Sequence, residues 1–456
     1  MPNENRMIYR KLSSTGEDIS ILGYGCMRFP RSGISVDEAR VKRLIGLSFE
    51  NGVNFYDTAY LYPGSEKALG NALSELGLRE RVKISTKLPL MMVKKRQDID
   101  NIFEKQLERL KTGYIDFYLA HSLSSFSDYE RIVNKGFNDF IEEERKRGRI
   151  LHAGFSFHGN TYEFKRIVDA YPWDICVIQY NYLDEYFQAG VEGLNYAAAK
   201  GLGVVAMEPL RGGLLGSLPP AAKKAFDAHQ LKENPAELAL RWVWKHPGIT
   251  CAISGMSAEK YLEENIRSVY ALDVPAVING AAAKPVAGTD AATHKSTANA
   301  GPDTADATDA VQDIAYVTDA VPDAAASVSA ADAVRFTARE CGAVDSMREY
   351  FKTNILVPCT SCSYCMPCPQ GVDIPTCFGW YNAGKGISAK AQYIMATEGA
   401  VNNKPSKASL CKACGACEAR CPQKIKISDE LKNVARAMEK NWLRVPARFA
   451  LRLISK

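Results

Sequence analysis

Eight short runs of β-branched, aromatic and small apolar residues recur along residues 1–271, each followed by a stretch of helical periodicity. They are Leu22 to Cys26, Val53 to Asp57, Val82 to Thr86, Ile115 to Ala120, Leu151 to Ser156, Ile175 to Tyr180, Gly203 to Met207 and Thr250 to Ser254. Runs this apolar read as strands covered on both faces. The stretches between them are one-sided: VDEARVKRLIGLSFENG lines up Val41, Leu44 and Ile45 and reaches Gly52, which suits a helix end. Eight such units predict a (β/α)8 TIM barrel. An open doubly wound sheet would carry a glycine-rich first turn, whereas the turn after the first run reads MRFPRSG. YRKLSSTGEDISILG, ahead of the first run, reads as a hairpin.

At 456 residues the chain exceeds what a single core usually sustains. From about Ala271 to Ala333 it turns to Ala, Asp, Thr, Val and Pro, with near-copies TDAVQD (Thr308 to Asp313) and TDAVPD (Thr318 to Asp323). So few large apolar groups cannot offset the entropy of ordering, and a flexible acidic linker is expected. The organisation implied is a barrel over 1–271, the linker over 272–333 and a small helical cysteine-rich domain over 334–456.

Hydrophobic residues make up 46% and charged residues 24%, as in ordinary soluble proteins. A net charge of +5 over this length gives no reason to expect nucleic acid as a partner. No apolar run approaches a membrane span, and MPNENRMIYR lacks the apolar stretch of a signal peptide. The expected location is the cytoplasm, where closely spaced cysteines hold metal rather than disulfides. The tail WLRVPARFALRLISK is basic and amphipathic, and is expected to pack as a helix.

Barrel enzymes place reactive groups at the carboxyl ends of strands. Asp57 leaves the second strand with Tyr62 five residues on, Lys87 leaves the third and His121 the fourth. A tyrosine with an ordinary pKa near ~10 is a weak acid, and a nearby ammonium favours its phenolate, so Lys87 is expected to lower Tyr62. Asp57 would neutralise Lys87, and His121 would orient a substrate oxygen, a set suited to delivering a proton to a carbonyl. The plainer alternative is an ion pair and a packed tyrosine that stabilise the barrel mouth. Two later loops, RGG from Arg211 to Gly213 and SGMS from Ser254 to Ser257, the latter opening a helix, offer backbone N–H groups to a phosphate, of a dinucleotide or of flavin mononucleotide (FMN).

DTAYLY followed by SE, then STK, FYLAHS, GFSFH, QYNY and SGMSAEKYLEEN occur in this order, and through them the segment from about Met7 to Ala271 resembles the aldo-keto reductases. The resemblance implies Tyr62 as general acid, Lys87 and Asp57 as its tuning pair, His121 as the group that orients substrate, and NAD(P)H lying across the barrel mouth. It further implies Ser156 and Gln179 at the nicotinamide carboxamide, with Met207, Arg211, Gly212, Ser254, Gly255 and Asn265 along the rest of the cofactor. Phe157 stands where the family usually has asparagine, and Met207 where it has a ring-stacking tyrosine. Gly255 and Tyr261 stand where many relatives hold a 2'-phosphate with basic residues, so nothing here favours NADPH over NADH.

The run CTSCSYCMPCP holds Cys359, Cys362, Cys365 and Cys368, and CKACGACEARCP holds Cys411, Cys414, Cys417 and Cys421. Thiolates at two-residue gaps wrap a cubane, and the cysteine before the proline typically ligates the other cluster. The implied sets are Cys359, Cys362, Cys365 and Cys421 on one [4Fe-4S] cluster and Cys411, Cys414, Cys417 and Cys368 on a second. Only Met366 and Pro367 precede Cys368, one residue fewer than the usual gap. Structural zinc also uses Cys-x-x-Cys pairs, but four close thiols ending in Cys-Pro, twice over, favour iron and sulfide. The region resembles a bacterial-type two-cluster ferredoxin. Cys377 is a spare thiol, read as a buried hydrophobe or a substitute ligand, and the isolated Cys26, Cys176, Cys251 and Cys341 read as packing residues.

The combined expectation is a cytoplasmic oxidoreductase acting on a small carbonyl or alcohol and exchanging electrons with an external one-electron redox protein. Nicotinamides pass hydride and clusters pass single electrons, so joining them calls for a carrier of both kinds, such as FMN, unless the clusters lie outside the catalytic circuit. The rival is a non-catalytic nucleotide-binding barrel serving as an electron carrier or interaction protein. The set of Asp57, Tyr62, Lys87 and His121 argues against it.

Overall fold

A computed structural model of the protein describes residues 7–33, 35–272, 334–382, 384, 387–398 and 404–439. The acidic linker and the basic tail expected from the sequence lie outside the described residues. Strands β1 (Leu22–Gly25), β2 (Phe55–Asp57), β3 (Lys83–Pro89), β4 (Ile115–Leu123), β5 (Ile150–Phe157), β6 (Ile175–Gln179), β7 (Gly203–Met207) and β8 (Ile249–Ser254) follow one another in the chain. They close in sequence order into a parallel barrel, β8 pairing with β1. The eight apolar runs read from the sequence are these strands, their ends differing by a few residues.

A period of two governs which side chains fill the barrel. Phe55, Phe117, Leu119, Val177, Val205 and Ile253 form its inner layer, sealed from below by Leu12 and Ile19 of the leading hairpin, whose strands Tyr9–Lys11 and Asp18–Ser20 are antiparallel. The next inward positions along the same strands are Asp57, His121, Gln179 and Met207, so an apolar floor carries a polar rim. Helices such as Glu38–Glu50, capped by the Asp37 side chain and followed by Gly52 at φ +87°, cover the outside.

Two further bodies lie downstream. Helix Ala338–Asn354 packs on the barrel, where Ala343, Val344, Met347 and Phe351 join the outer core. It is held by Arg348, which donates to the Tyr182 carbonyl at 2.8 Å and pairs with Glu185, and by the ion pair of Glu340 with Arg241 at 3.0 Å. Beyond it, Val357, Val372, Ile374, Phe378, Tyr393, Leu431 and Val434 form a separate small core that carries the cysteine runs. Among the described residues no helix is long and apolar enough to cross a membrane.

Candidate active site

At the rim, the Lys87 Nζ lies 2.7 Å from each carboxylate oxygen of Asp57 and 2.7 Å from the Thr58 carbonyl. All three ammonium donors are thereby used. Lys87 and Asp57 are 2% and 4% exposed. Lys87 Nζ stands 5.2 Å from the centre of the Tyr62 ring, and that ring meets His121 edge-on at 5.9 Å. The four strand-end residues singled out in the sequence are therefore brought together.

The expectation that Lys87 lowers the Tyr62 hydroxyl is overturned. Burial pushes it well above its ordinary value, and Tyr364 and Asp57 push it further. The ammonium is engaged by Asp57 instead, so the phenol stays protonated, which is the form that donates. Burial, and then the charge of Lys87, hold the His121 imidazole well below its ordinary value. Its Nε2 is 3.1 Å from the Tyr364 hydroxyl, and its buried Nδ1 has no hydrogen-bond partner among the described residues. A charged ring would leave a buried N–H unsatisfied there, so we assign the neutral tautomer in which Nε2–H donates.

Both cysteine runs wrap in the same way. The Ser361 N–H points at Cys359 Sγ and the Ala413 N–H at Cys411 Sγ, each at 3.4 Å. Ser361 and Ser363 in one run, and Ala413 and Gly415 in the other, adopt left-handed backbone at equivalent places. Cys359, Cys362, Cys365 and Cys421 line one small cavity walled by Ile374, Phe378, Ile425 and Ile427, so its fourth thiol comes from the second run. Cys417 lies within electrostatic reach of Cys411 and Cys368. Among the described residues no three His, Cys, Asp or Glu side chains converge closely enough for a single ion, whereas thiols spread around a cavity, with amide N–H groups aimed at sulfur, fit a cubane. Cys377 sits outside that cavity, buried in the small core 3.8 Å from the Tyr393 hydroxyl. Cys26, Cys176 and Cys251 are buried and Cys341 is half-buried.

Sequence reasoning missed Tyr364. It lies between Cys362 and Cys365, and its hydroxyl enters the barrel mouth, 3.1 Å from His121 Nε2 and 3.5 Å from the Tyr62 hydroxyl. Only its bulk, in a loop of otherwise small residues, marked it in the sequence. Glu208 was missed as well. Just beyond β7, its Oε1 accepts from Thr360 Oγ1 at 3.0 Å, its Oε2 is buried without a hydrogen-bond partner among the described residues, and burial pushes its carboxyl up to about 7.

The family model described as "Aldo/keto reductase family" matches residues 21–275. The chain belongs to that family. A second model, "4Fe-4S dicluster domain", matches residues 358–425. Among curated relatives, an uncharacterised oxidoreductase, YrpG of Bacillus subtilis, is 27% identical over 309 residues, covering 58% of this chain and 91% of its own length. L-galactose dehydrogenase of Arabidopsis thaliana is 28% identical over 290 residues, covering 58% of this chain and 88% of its own. Among solved structures, the holo aldo-keto reductase AKR11C1 of Bacillus halodurans superposes with a TM-score of 0.50 at 24% identity, covering 58% of this chain and 91% of that one, which speaks for the fold alone. The protein is thus an oxidoreductase of the aldo/keto reductase family that carries a 4Fe-4S dicluster domain.

The positions that the family resemblance assigns to the cofactor are engaged otherwise here. Ser156 Oγ accepts from the Ser122 N–H at 2.8 Å. The Gln179 amide donates to Asp184 at 2.8 Å, and its oxygen accepts from Gln423 at 2.7 Å and Gln188 at 3.3 Å. Arg211 is buried against Asp184 at 2.9 Å, and Asn265 donates to Ser254 Oγ at 2.8 Å. The Arg28 side chain lies over Gly255. SGMS does not itself open the helix, which starts at Glu259, two residues past Ser257. Of these positions, the iron–sulfur domain meets Gln179, through Gln423, and Gly212, through the Thr360 carbonyl, whereas Ser156, Ser254, Gly255 and Asn265 are engaged by barrel residues.

Proposed function

We propose that the barrel interconverts a small carbonyl compound and its alcohol, and that the reaction is tied to single-electron exchange between the dicluster domain and an external one-electron redox protein. Tyr62 holds the proton that a carbonyl oxygen receives, His121 Nε2–H orients that oxygen, and the Asp57–Lys87 pair fixes the floor beneath them. Reduction to the alcohol takes two electrons, one from each reduced cluster, and a second proton, from water, to the carbon. Cys359, Cys362, Cys365 and Cys421 would hold one [4Fe-4S] cluster, and Cys411, Cys414, Cys417 and Cys368 the other. Such clusters pass electrons one at a time. The proposed compartment is the cytoplasm, in keeping with cysteines none of which is paired in a disulfide.

One observation carries the reading: a residue of the first cysteine run, Tyr364, hydrogen-bonds the group that would orient the substrate. The test uses anaerobically purified, chemically reduced protein mixed with a panel of aldehydes and ketones, followed by cluster absorbance and product analysis. Cluster oxidation with alcohol formation is expected, and its loss in Tyr62→Phe. If no carbonyl compound reoxidises the protein, the rival reading, an electron carrier without catalysis, takes its place.

A further inference from the structure

The dicluster domain meets the barrel at the groups a nicotinamide would need. Gln423, two residues past Cys421, donates to Gln179, and both side chains are buried. Thr360, between Cys359 and Cys362, gives its hydroxyl to Glu208. Its carbonyl lies so close to Gly212 that a Cβ built on that glycine would stand 2.0 Å away. Arg28 donates to the carbonyls of Thr360 at 3.3 Å and Ser361 at 3.2 Å. Tyr364 takes the place beside His121 where a substrate oxygen would sit.

The barrel side of this contact is shaped for it. Glu208, Arg211 and Gly212 all have positive φ, at 53°, 46° and 68°. Such backbone costs on the order of 1–3 kcal/mol at a non-glycine residue and persists only where its surroundings hold it. Here it turns the loop after β7 toward Thr360. The residues that would grip a nicotinamide are changed in the same chain: Phe157 offers no amide and Met207 no stacking ring. Helix Ala338–Asn354, fixed to the barrel by Arg348 and Glu340, anchors the domain from a second side.

We infer that the loops carrying Cys359 to Cys365 and Cys421 are the resident occupant of the barrel mouth, in place of a nicotinamide, and that the folded protein binds neither NADH nor NADPH. This rests on the reading that the barrel runs carbonyl chemistry. It goes further in stating which redox group stands beside Tyr62 and His121.

The test uses full-length, anaerobically prepared protein with both clusters assembled. Equilibrium dialysis against NADH and against NADPH should give no saturable binding below about 1 mM, the affinity of a few weak contacts. In parallel, the electron paramagnetic resonance signals of the reduced protein are compared with those of Glu208→Gln and Gln179→Ala. One cluster signal is expected to shift in at least one variant while the other stays unchanged. Saturable binding of either nucleotide at micromolar concentrations overturns the inference, as do signals unchanged in both variants. Unaltered turnover in Tyr62→Phe would instead sink the carbonyl reading and leave these binding and resonance results standing, so the two fail separately.

Discussion

The Tyr364 hydroxyl accepts a hydrogen bond from His121 Nε2 at 3.1 Å, which joins a cysteine-run residue to the fourth strand of the barrel. A substrate oxygen must take that bond over from Tyr364. Tyr364→Phe removes the competing hydroxyl and keeps the ring, which meets His121 edge-on at 6.0 Å. A neutral hydrogen bond is worth about 1 kcal/mol, so KM for a carbonyl substrate should fall about fivefold with kcat little changed. Steady-state kinetics under anaerobic conditions reads this directly, and an unchanged KM would show that Tyr364 does not compete.

The Asp57–Lys87 pair predicts a loss of stability that is separate from chemistry. Asp57→Asn leaves a buried ammonium without its charge partner, at a cost of about 3–5 kcal/mol. Thermal unfolding should drop by roughly 10 °C. The double variant D57N/K87M, with no buried charge left, should recover part of that loss although both singles are destabilised. If the double variant is as unstable as the sum of the singles, the two residues are not coupled as their 2.7 Å contacts imply.

The barrel was legible because its signal is periodic. A strand buried on both faces has little choice but to be apolar throughout, and eight of them at even spacing leave one closed solution. Asp57, Lys87 and His121 were legible for a related reason: strand ends locate them, whatever the loops do. The direction of the Tyr62 shift was not, because proximity in sequence order says nothing about which neighbour takes up an ammonium, and here Asp57 and the Thr58 carbonyl take it. Tyr364 and Glu208 were illegible because their roles arise from docking between segments more than 150 residues apart, as the 152-residue separation of Thr360 and Glu208 illustrates. No local pattern encodes such a contact.

Iron content gives a third prediction. Cys421 shares its cavity with Cys359, Cys362 and Cys365 rather than with its sequence neighbours. Cys421→Ser and Cys365→Ser should therefore lower iron from about eight atoms per chain to about four and erase the same resonance signal, while Cys417→Ser erases the other. Loss of different signals in Cys421→Ser and Cys365→Ser would refute the shared set.

His246 gives a pH prediction with a definite sign. Burial, then Arg10 and Lys245, push its imidazole down to about 4, and its Nδ1 accepts from the Gly248 N–H at 3.1 Å. The unfolded chain binds that proton near the ordinary value of about 6.5, so between about 6.5 and 4 the unfolded state holds more protons and this contribution is lost as pH falls. Above that window it is fully present. The gap in melting temperature between the native protein and His246→Gln should accordingly be widest above pH 6.5 and shrink toward pH 4. A gap independent of pH would mean that the ring does not titrate as described.

Adjacent glycines allow the contact between barrel and dicluster domain to be isolated from backbone strain. Gly212 and Gly213 both have positive φ, at 68° and 99°, so alanine at either position costs on the order of 1 kcal/mol for conformation alone. They differ in what surrounds them. A Cβ on Gly213 meets nothing within 4 Å, whereas one on Gly212 would stand 2.0 Å from the Thr360 carbonyl, a backbone atom that cannot rotate aside. Gly213→Ala should therefore lower the melting temperature slightly and leave the domains in contact. Gly212→Ala should in addition lift the Cys359 to Cys365 loop from the barrel, seen as faster amide hydrogen exchange across residues 358–368 and an altered signal from one cluster only. Equal exchange in the two variants would mean that the loop does not rest on Gly212, and the barrel mouth would then be open to other occupants.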